Sequence, residues 1–236
     1  RIAEVAAREV KVCLTGDGGD EGFAGYDAYR TARVLRCVDA VPEFLRRLVL
    51  GPVERRLPEW VRGKGLMRFL VLPPADRYAE LMGSVDRSTR DWLLSPDLRR
   101  TTSGRHPYET FQTLYRSLGG FDEVGRLQRL DMETYLPDDI LVKSDRTSMR
   151  HSLELRVPLL DHKVLELAFR MPTTLKMRRG RGKRILRETF ARMLPPGILA
   201  RGKQGFGMPL GAWLRGDLLH LAREVFSDAR TRQRGF

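Results

Sequence analysis

Cysteine is nearly missing from this chain, with Cys13 and Cys37 the only two in 236 residues. Two well-separated thiols build neither a disulfide framework nor a metal-ligand spacing. Both are expected to be reduced packing residues. No apolar run approaches the roughly 18 residues that a membrane helix needs, and the first residues show no signal-peptide pattern. The expectation is a soluble, cytoplasmic protein with no membrane partner. The G-x-x-x-x-G-K-S/T spacing of a Walker loop is missing as well, and there is no internal repeat or low-complexity segment. His162 has no companion histidine or acid that would make it catalytic, and it reads as an exposed helix-start residue.

Acidic residues are in the minority. Lys and Arg number 43 against 30 Asp and Glu, a formal charge of +13, and most of the excess is arginine. Such a surplus suits nucleic acid, an anionic surface or phosphorylated small molecules. It also suits a piece of a longer chain whose acidic part lies elsewhere. The sequence opens at Arg1 within a helical pattern (Ile2-Ala3-Glu4-Val5-Ala6-Ala7), which favours the piece. At 42% hydrophobic the chain can bury one good core, that of a single large domain.

The informative stretch is residues 12–26, VCLTGDGGDEGFAGY. Val12-Cys13-Leu14 reads as a short buried strand feeding a glycine-rich turn. Gly16, Gly18 and Gly19 permit left-handed or closely approached backbone, and successive N–H groups in such a turn form an anion-binding concavity. Asp17, Asp20 and Glu21 would repel a bare phosphate, so a phosphate here is expected to arrive with Mg²⁺, which takes carboxylate oxygens and bridges phosphates. The alternative is a Gly/Asp turn with solvated carboxylates.

Residues 27–120 read as mostly helical. Helices are expected over residues 28–41, 43–49, 68–70, 77–82 and 91–94, with Pro52, Pro58, Pro73 and Pro74 as punctuation. Ser88 or Thr89 is a candidate cap, and residues 98–106 read as a mobile polar loop. The pairs Arg46-Arg47, Arg55-Arg56 and Arg99-Arg100 read as solvated helix faces, since no aromatic platform or nucleic-acid motif accompanies them.

The second half carries more chemistry. Leu127, Leu130, Asp131, Thr134 and Tyr135 mark an amphipathic helix expected to stop before Pro137, with Asp138 opening another into Lys143-Ser144-Asp145-Arg146. By itself that last run could be a charge pair on a helix surface, and Met149 reads as core. Leu153-Glu154-Leu155-Arg156-Val157 alternates as a half-buried extended segment does. Its Glu154 and Arg156 form either an exposed ion pair worth at most about 1 kcal/mol or a cleft carboxylate with its orienting cation. Asp161 is the expected cap of the helix that follows. Residues 177–184, MRRGRGKR, are a cationic loop entering a helix over residues 185–193, suited to pyrophosphate or triphosphate or simply a solvated turn. Residues 201–207 form a glycine-flanked loop able to act as a lid. Residues 208–221 return to amphipathic helix with Trp213, Leu214 and Leu218 inward, and residues 222–236 read as a fraying basic tail.

LTGDGGDE with FAGY, the KSDRTSMRHSLELRVPLLD block, GKRILRETF and RGKQGF occur in one order across nearly the whole chain. Together they resemble the synthetase domain of the asparagine synthetase family. The resemblance implies an α/β fold, a helix-rich part of a nucleotide-binding, Rossmann-like parallel-sheet domain of the adenine nucleotide alpha hydrolase type. It implies ATP-dependent conversion of aspartate to asparagine through an acyl-adenylate, with ammonia from glutamine. ATP and Mg²⁺ would be the cofactors, Asp20 the metal ligand, and Thr15, Gly16, Gly18, Gly19 and Lys183 the nucleotide contacts. Asp17, Glu154 and Lys203 would be catalytic, with Glu21, Lys143, Asp145, Arg146 and Arg156 in support. Gly22 departs from the family, which has a larger apolar residue after G-D-G-G-D-E. The family's glutaminase domain and its S-G-G-x-D-S pyrophosphate loop are not in the sequence, so residues 1–236 are expected to be the C-terminal part of the synthetase domain, inactive alone, with the glutaminase domain as partner and a homodimer as an allowed assembly. Relatives that amidate or cyclise another carboxylic acid are the alternative within the fold. A basic nucleic-acid-binding helical module is the alternative outside it.

Overall fold

The computed structural model describes residues 1–57, 61, 64–83, 85, 87–102, 107–201 and 209–234. Among these the chain is mostly helical around one small parallel sheet. Helix α1 (Ile2–Glu9) leads into β1 (Val12–Leu14), and the short α2 (Gly19–Gly22) follows the glycine-rich turn. Then come α3 (Asp27–Asp39), α4 (Glu43–Arg56), α5 (Lys64–Val71), α6 (Pro74–Met82), α7 (Arg87–Leu93), α8 (Pro96–Thr102), α9 (Pro107–Ser117) and α10 (Glu123–Glu133). A π-helical turn (Leu136–Leu141) runs into α11 (Val142–Met149), which delivers the chain to β2 (Glu154–Arg156). The remainder is α12 (His162–Arg170), α13 (Thr173–Lys176), α14 (Arg184–Thr189), α15 (Pro196–Ala200), α16 (Leu210–Arg215), α17 (Leu219–Val225) and α18 (Asp228–Gln233).

β1 and β2 are parallel, with Val12 opposite Glu154, Cys13 opposite Leu155 and Leu14 opposite Arg156. Parallel strands need a long crossover, and here it is the whole helical run from α2 to α11. The expected parallel sheet is therefore present, but β1 is not the buried strand its composition predicts. Leu14 is 73% exposed, because one face of a two-stranded sheet is left uncovered.

The core lies between α3, α6 and α10, where Tyr29, Tyr78, Leu118, Val124, Leu127, Leu130 and Met177 pack together. Within it the buried Asp131 accepts hydrogen bonds from both Tyr29 and Tyr78, which helps to satisfy a carboxylate held out of water. Burial and the nearby Asp131 charge hold both phenol pKa values well above the usual range. Asp122 caps α10 by accepting from Gly125 N at 2.8 Å, and Asp161 caps α12 as expected, accepting from Lys163 N at 2.9 Å.

Several sequence expectations are corrected. Arg46 is buried, not solvated: its guanidinium donates to the carbonyls of Val41 and Leu70 at 3.1 and 2.6 Å and lies 3.5 Å from Asp39. Asp39 also holds Arg77 through two bonds of 2.9 and 2.6 Å. One carboxylate thus ties α3 to α4 and α6, while the neighbouring Arg47 stays exposed and pairs with Glu43. Pro52 lies inside α4, whose packing on α5 outweighs the lost backbone bond. Helix α10 does end before Pro137, at Glu133, but the next helical turn already begins at Leu136 with Pro137 inside its first turn, ahead of the expected start at Asp138. The wider π turn accommodates its ring where an α turn would clash. Residues expected in a mobile loop form α8, with residues 103–106 outside the described set. The expected fraying tail over residues 222–236 instead holds the end of α17 and the whole of α18, with residues 235–236 outside the described set. Met149 is 57% exposed and Trp213 40% exposed, and Cys37 is exposed too, so none of them is a core residue.

Candidate functional site

The turn after β1 gathers side chains from three distant parts of the sequence. Thr15 N donates to Arg156 O at 2.9 Å, carrying the strand pairing one residue past β1. Thr15 Oγ1 then donates to Asp17 Oδ2 at 3.0 Å, and Ser144 Oγ of α11 reaches the same oxygen at 3.3 Å. Gly18 has φ +78°, and a Cβ on it would sit 2.1 Å from Leu160 Cδ2, while one on Gly19 would meet Leu159 Cδ1 at 2.9 Å. The turn is therefore seated on the segment that follows β2, at a separation only glycine allows. A Cβ on Gly16 would meet nothing within 4 Å, so that side of the turn is open to a ligand.

The basic loop closes on the other side. Lys183 Nζ lies 3.2 Å from Asp20 Oδ2, and Lys183 N donates to Phe23 O at 2.9 Å. Two glycines make room for this: a Cβ on Gly25 would fall 1.9 Å from Asp20 Oδ1 and 2.5 Å from Lys183 Cε, and one on Gly182 would fall 1.9 Å from Ala24 O. Lys183 itself has φ +54°, a left-handed conformation that a lysine adopts at some cost. The helix it precedes, α14, has only six residues, so the positive potential here comes from the side chain rather than from a long helix dipole.

Behind the turn, Glu21 is 1% exposed. Its carboxylate accepts from Tyr26 Oη at 2.6 Å and its backbone carbonyl accepts from the Gln128 amide. The other end of that amide accepts from Lys176 Nζ at 3.0 Å. Lys176 is 2% exposed and lies over the Phe169 ring, 5.2 Å from its centroid. Burial lowers its pKa to about 8, against a smaller opposing effect of Asp122. Burial and Glu21 push the Tyr26 phenol up. Glu21 is thus internal scaffolding, linked through Gln128 to a buried cation.

Not every candidate converges. Glu154 and Arg156 pair at 2.7 Å with side chains 56% and 65% exposed, on the uncovered face of the sheet. The ladder puts Arg156 beside Leu14 and Glu154 beside Val12, so Glu154 stands two residues back from the turn. Lys143 pairs with Asp139 at 2.9 Å on the surface of α11, and that bond raises its pKa. The side chains of Asp145 and Arg146 are exposed, and none of the hydrogen bonds of the described residues joins them to the turn. Of the Lys-Ser-Asp-Arg run it is Ser144, the one residue not singled out, that faces Asp17. Nothing in the sequence marked it; in the structure Ser148, one helical turn on, is likewise turned inward at 2% exposure. Gln128 and Lys176 carried no signal either, for a buried amide and a buried lysine look like surface residues in a sequence. Lys203 lies outside the described residues. Among the described residues no cluster of three or more His, Cys, Asp or Glu could hold a metal, and no helix is long and apolar enough to cross a membrane.

Comparison with known proteins identifies the family. The family model described as asparagine synthase matches residues 1–236. The chain is 39% identical over 226 residues to a putative asparagine synthetase (glutamine-hydrolyzing) of Mycobacterium tuberculosis, covering 94% of this chain and 33% of that protein. It is 31% identical over 233 residues to asparagine synthetase (glutamine-hydrolyzing) 1 of Bacillus subtilis, covering 98% of this chain and 36% of the relative. Amidase chry2 of Gibberella zeae is 25% identical over 260 residues, covering 98% and 37%. The chain therefore spans about a third of the length of the curated relatives it matches. No solved structure matches. With a family match over the whole chain, and a turn that meets the KSDRTSMRHSLELRVPLLD and GKRILRETF blocks, the chain belongs to the asparagine synthase family.

Proposed function

We propose that this chain supplies part of the site of an ATP-dependent carbon–nitrogen ligase that converts aspartate to asparagine. The observation that carries the proposal is the meeting of Asp17, Asp20, Ser144 and Lys183 around one turn whose Gly16 side is open. A carboxylate cannot be amidated directly because oxide is a poor leaving group. Attack of the aspartate side chain on the α-phosphate of ATP gives a β-aspartyl-adenylate and pyrophosphate, and ammonia from glutamine then displaces AMP. Negative charge builds on the departing pyrophosphate, so fixed cations must be aimed there.

In this scheme Thr15, Gly16, Gly18 and Gly19 line the nucleotide, and the Lys183 ammonium binds its phosphates. Asp17 and Asp20 on one turn, without a third clustered acid among the described residues, fit Mg²⁺ of the kind that arrives on phosphates and takes one or two carboxylates. Asp20 would hold it, and when bound it would supply charge neutralisation. Lys203 stabilises the oxyanion formed when ammonia attacks. Asp17 is oriented by Thr15 and Ser144, which supports it ahead of the outlying Glu154 as acceptor of the nitrogen's proton. The sheet and turn agree with an adenine nucleotide alpha hydrolase-like domain, of which this is the C-terminal part, working with a glutaminase domain of the same parent protein. A second reading keeps the adenylation and changes the acceptor to another carboxylic acid, as the match to proteins named amidases allows.

The test is aspartate-dependent exchange of labelled pyrophosphate into ATP by the full-length protein. Exchange that needs aspartate and is lost in Asp20→Ala is the expected result. Exchange with a different acid but not with aspartate moves the substrate to the second reading. No exchange with any acid in a folded, ATP-binding protein removes the proposal.

A further inference from the structure

Beyond the turn, the strongest unassigned feature is a groove of about 310 Å³ lined by Arg178, Arg179, Arg181, Arg184 and Arg187, with Glu188 as its single acid. It is built by a two-residue hairpin and the helix after it. Arg178 and Arg181 bond reciprocally through their backbones at 3.1 and 3.0 Å, with Arg179 and Gly180 at φ +50° and +76° between them. Glu188 is already engaged by Arg184 at 2.8 Å, and Arg184 also donates to Thr174 O at 3.0 Å. Arg187 donates to Leu199 O. Two guanidinium groups are therefore anchored. Those of Arg178, Arg179 and Arg181 have no carboxylate partner among the described residues.

Two features set this groove apart from an ordinary solvated charge run. The arginines line one surface hollow from both a hairpin and a helix instead of lying along a single helix face, so an anion placed among them relieves their mutual repulsion. In addition, Arg179 occupies a left-handed position that glycine or asparagine takes without strain, so the turn itself gives no reason for an arginine there. The planar fork of arginine matches phosphate oxygens in pairs. The lining holds no aromatic ring on which a base could stack, which argues against single-stranded nucleic acid. The groove is also short, which suits a compact anion better than a long backbone.

We propose that this groove is a second anion site that takes a di- or triphosphate group, free or at the end of a nucleotide, separately from the turn at Asp20. Lys183 and the turn are not among its lining residues, so it goes beyond the ligase reading and does not depend on it. The two are nevertheless joined: Gly182 packs on Ala24 and Lys183 N bonds to Phe23 O, so an anion drawn into the groove bears on the backbone that aims Lys183.

The test is titration calorimetry with inorganic pyrophosphate, inorganic triphosphate, orthophosphate, ATP and a 20-nucleotide single strand, on the full-length protein carrying Lys183→Ala. Pyrophosphate should still bind, at least about tenfold more tightly than orthophosphate, because paired forks recognise adjacent phosphates. Adding Arg178→Gln and Arg181→Gln should weaken it by about tenfold or more, with an unchanged circular dichroism spectrum since both side chains are exposed. Arg179→Gly, which eases the turn, should weaken it as well. ATP binding as tightly as triphosphate would mark the nucleotide as an accepted source. Pyrophosphate affinity that survives the arginine changes, or vanishes with Lys183→Ala alone, overturns the site. So does an oligonucleotide bound about a hundredfold more tightly through the same arginines. Failure of the aspartate exchange with groove binding intact would strike the ligase reading alone.

Discussion

Lys183 Nζ and Asp20 Oδ2 stand 3.2 Å apart, and the space for that pair is made by Gly25, where a Cβ would overlap both side chains. The pair ties the basic loop to the turn after β1. Its two side chains are 36% and 27% exposed, so solvent screens it, and its worth to folding is small.

A double-mutant cycle with Lys183→Ala and Asp20→Asn should therefore give a coupling in urea denaturation below about 1 kcal/mol. Pyrophosphate exchange should fall much further, by about a hundredfold for Lys183→Ala, if the lysine meets charge that develops in the transition state. A stability coupling of several kcal/mol would make the pair structural instead.

Gly18→Ala places a methyl group 2.1 Å from Leu160 Cδ2 at φ +78°. It should cost about 2 kcal/mol or more, read as a lower urea midpoint at constant slope. Gly16→Ala, which meets nothing within 4 Å, should leave folding within about 0.5 kcal/mol but weaken ATP binding if the nucleotide lies there.

Lys176 gives a pH dependence of definite sign. Its pKa is about 8 in the folded protein against an ordinary 10.5, so between those values the unfolded chain binds more protons. Stability should rise with pH across that window. Below about 8 both states are charged and the full cost of burying the ammonium is present. The rise is at most roughly 3 kcal/mol by linkage. Lys176→Met should flatten the slope measured by urea unfolding at pH 7 and 10. An unchanged slope would mean that Gln128 and the Phe169 face offset the burial.

How much of this was readable in the sequence depends on distance along the chain. The turn was legible because glycine and aspartate state their backbone requirements locally, and Gly18 meets them. The caps Asp122 and Asp161 are local too, though only the second was read. Arg46 and Asp131 were misread or passed over because their burial depends on partners such as Leu70, Tyr29 and Tyr78, brought in by helix packing. Pro52 misled for the same reason, since helix packing overrode a local rule, whereas α10 ends before Pro137 as its sequence requires. The Lys-Ser-Asp-Arg run drew attention to its charges, yet the contact is made by the hydroxyl.

The open sheet has a practical consequence for anyone handling the polypeptide. Among the described residues both β1 and β2 are edge strands, and Leu14 and Val12 stand on an uncovered face at 73% and 38% exposure. Edges of that kind are templates for pairing with another chain. The +13 charge keeps molecules apart only while salt is low. Solubility should therefore worsen as ionic strength is raised, and the buffer that quiets the arginines is the one in which the strands find each other.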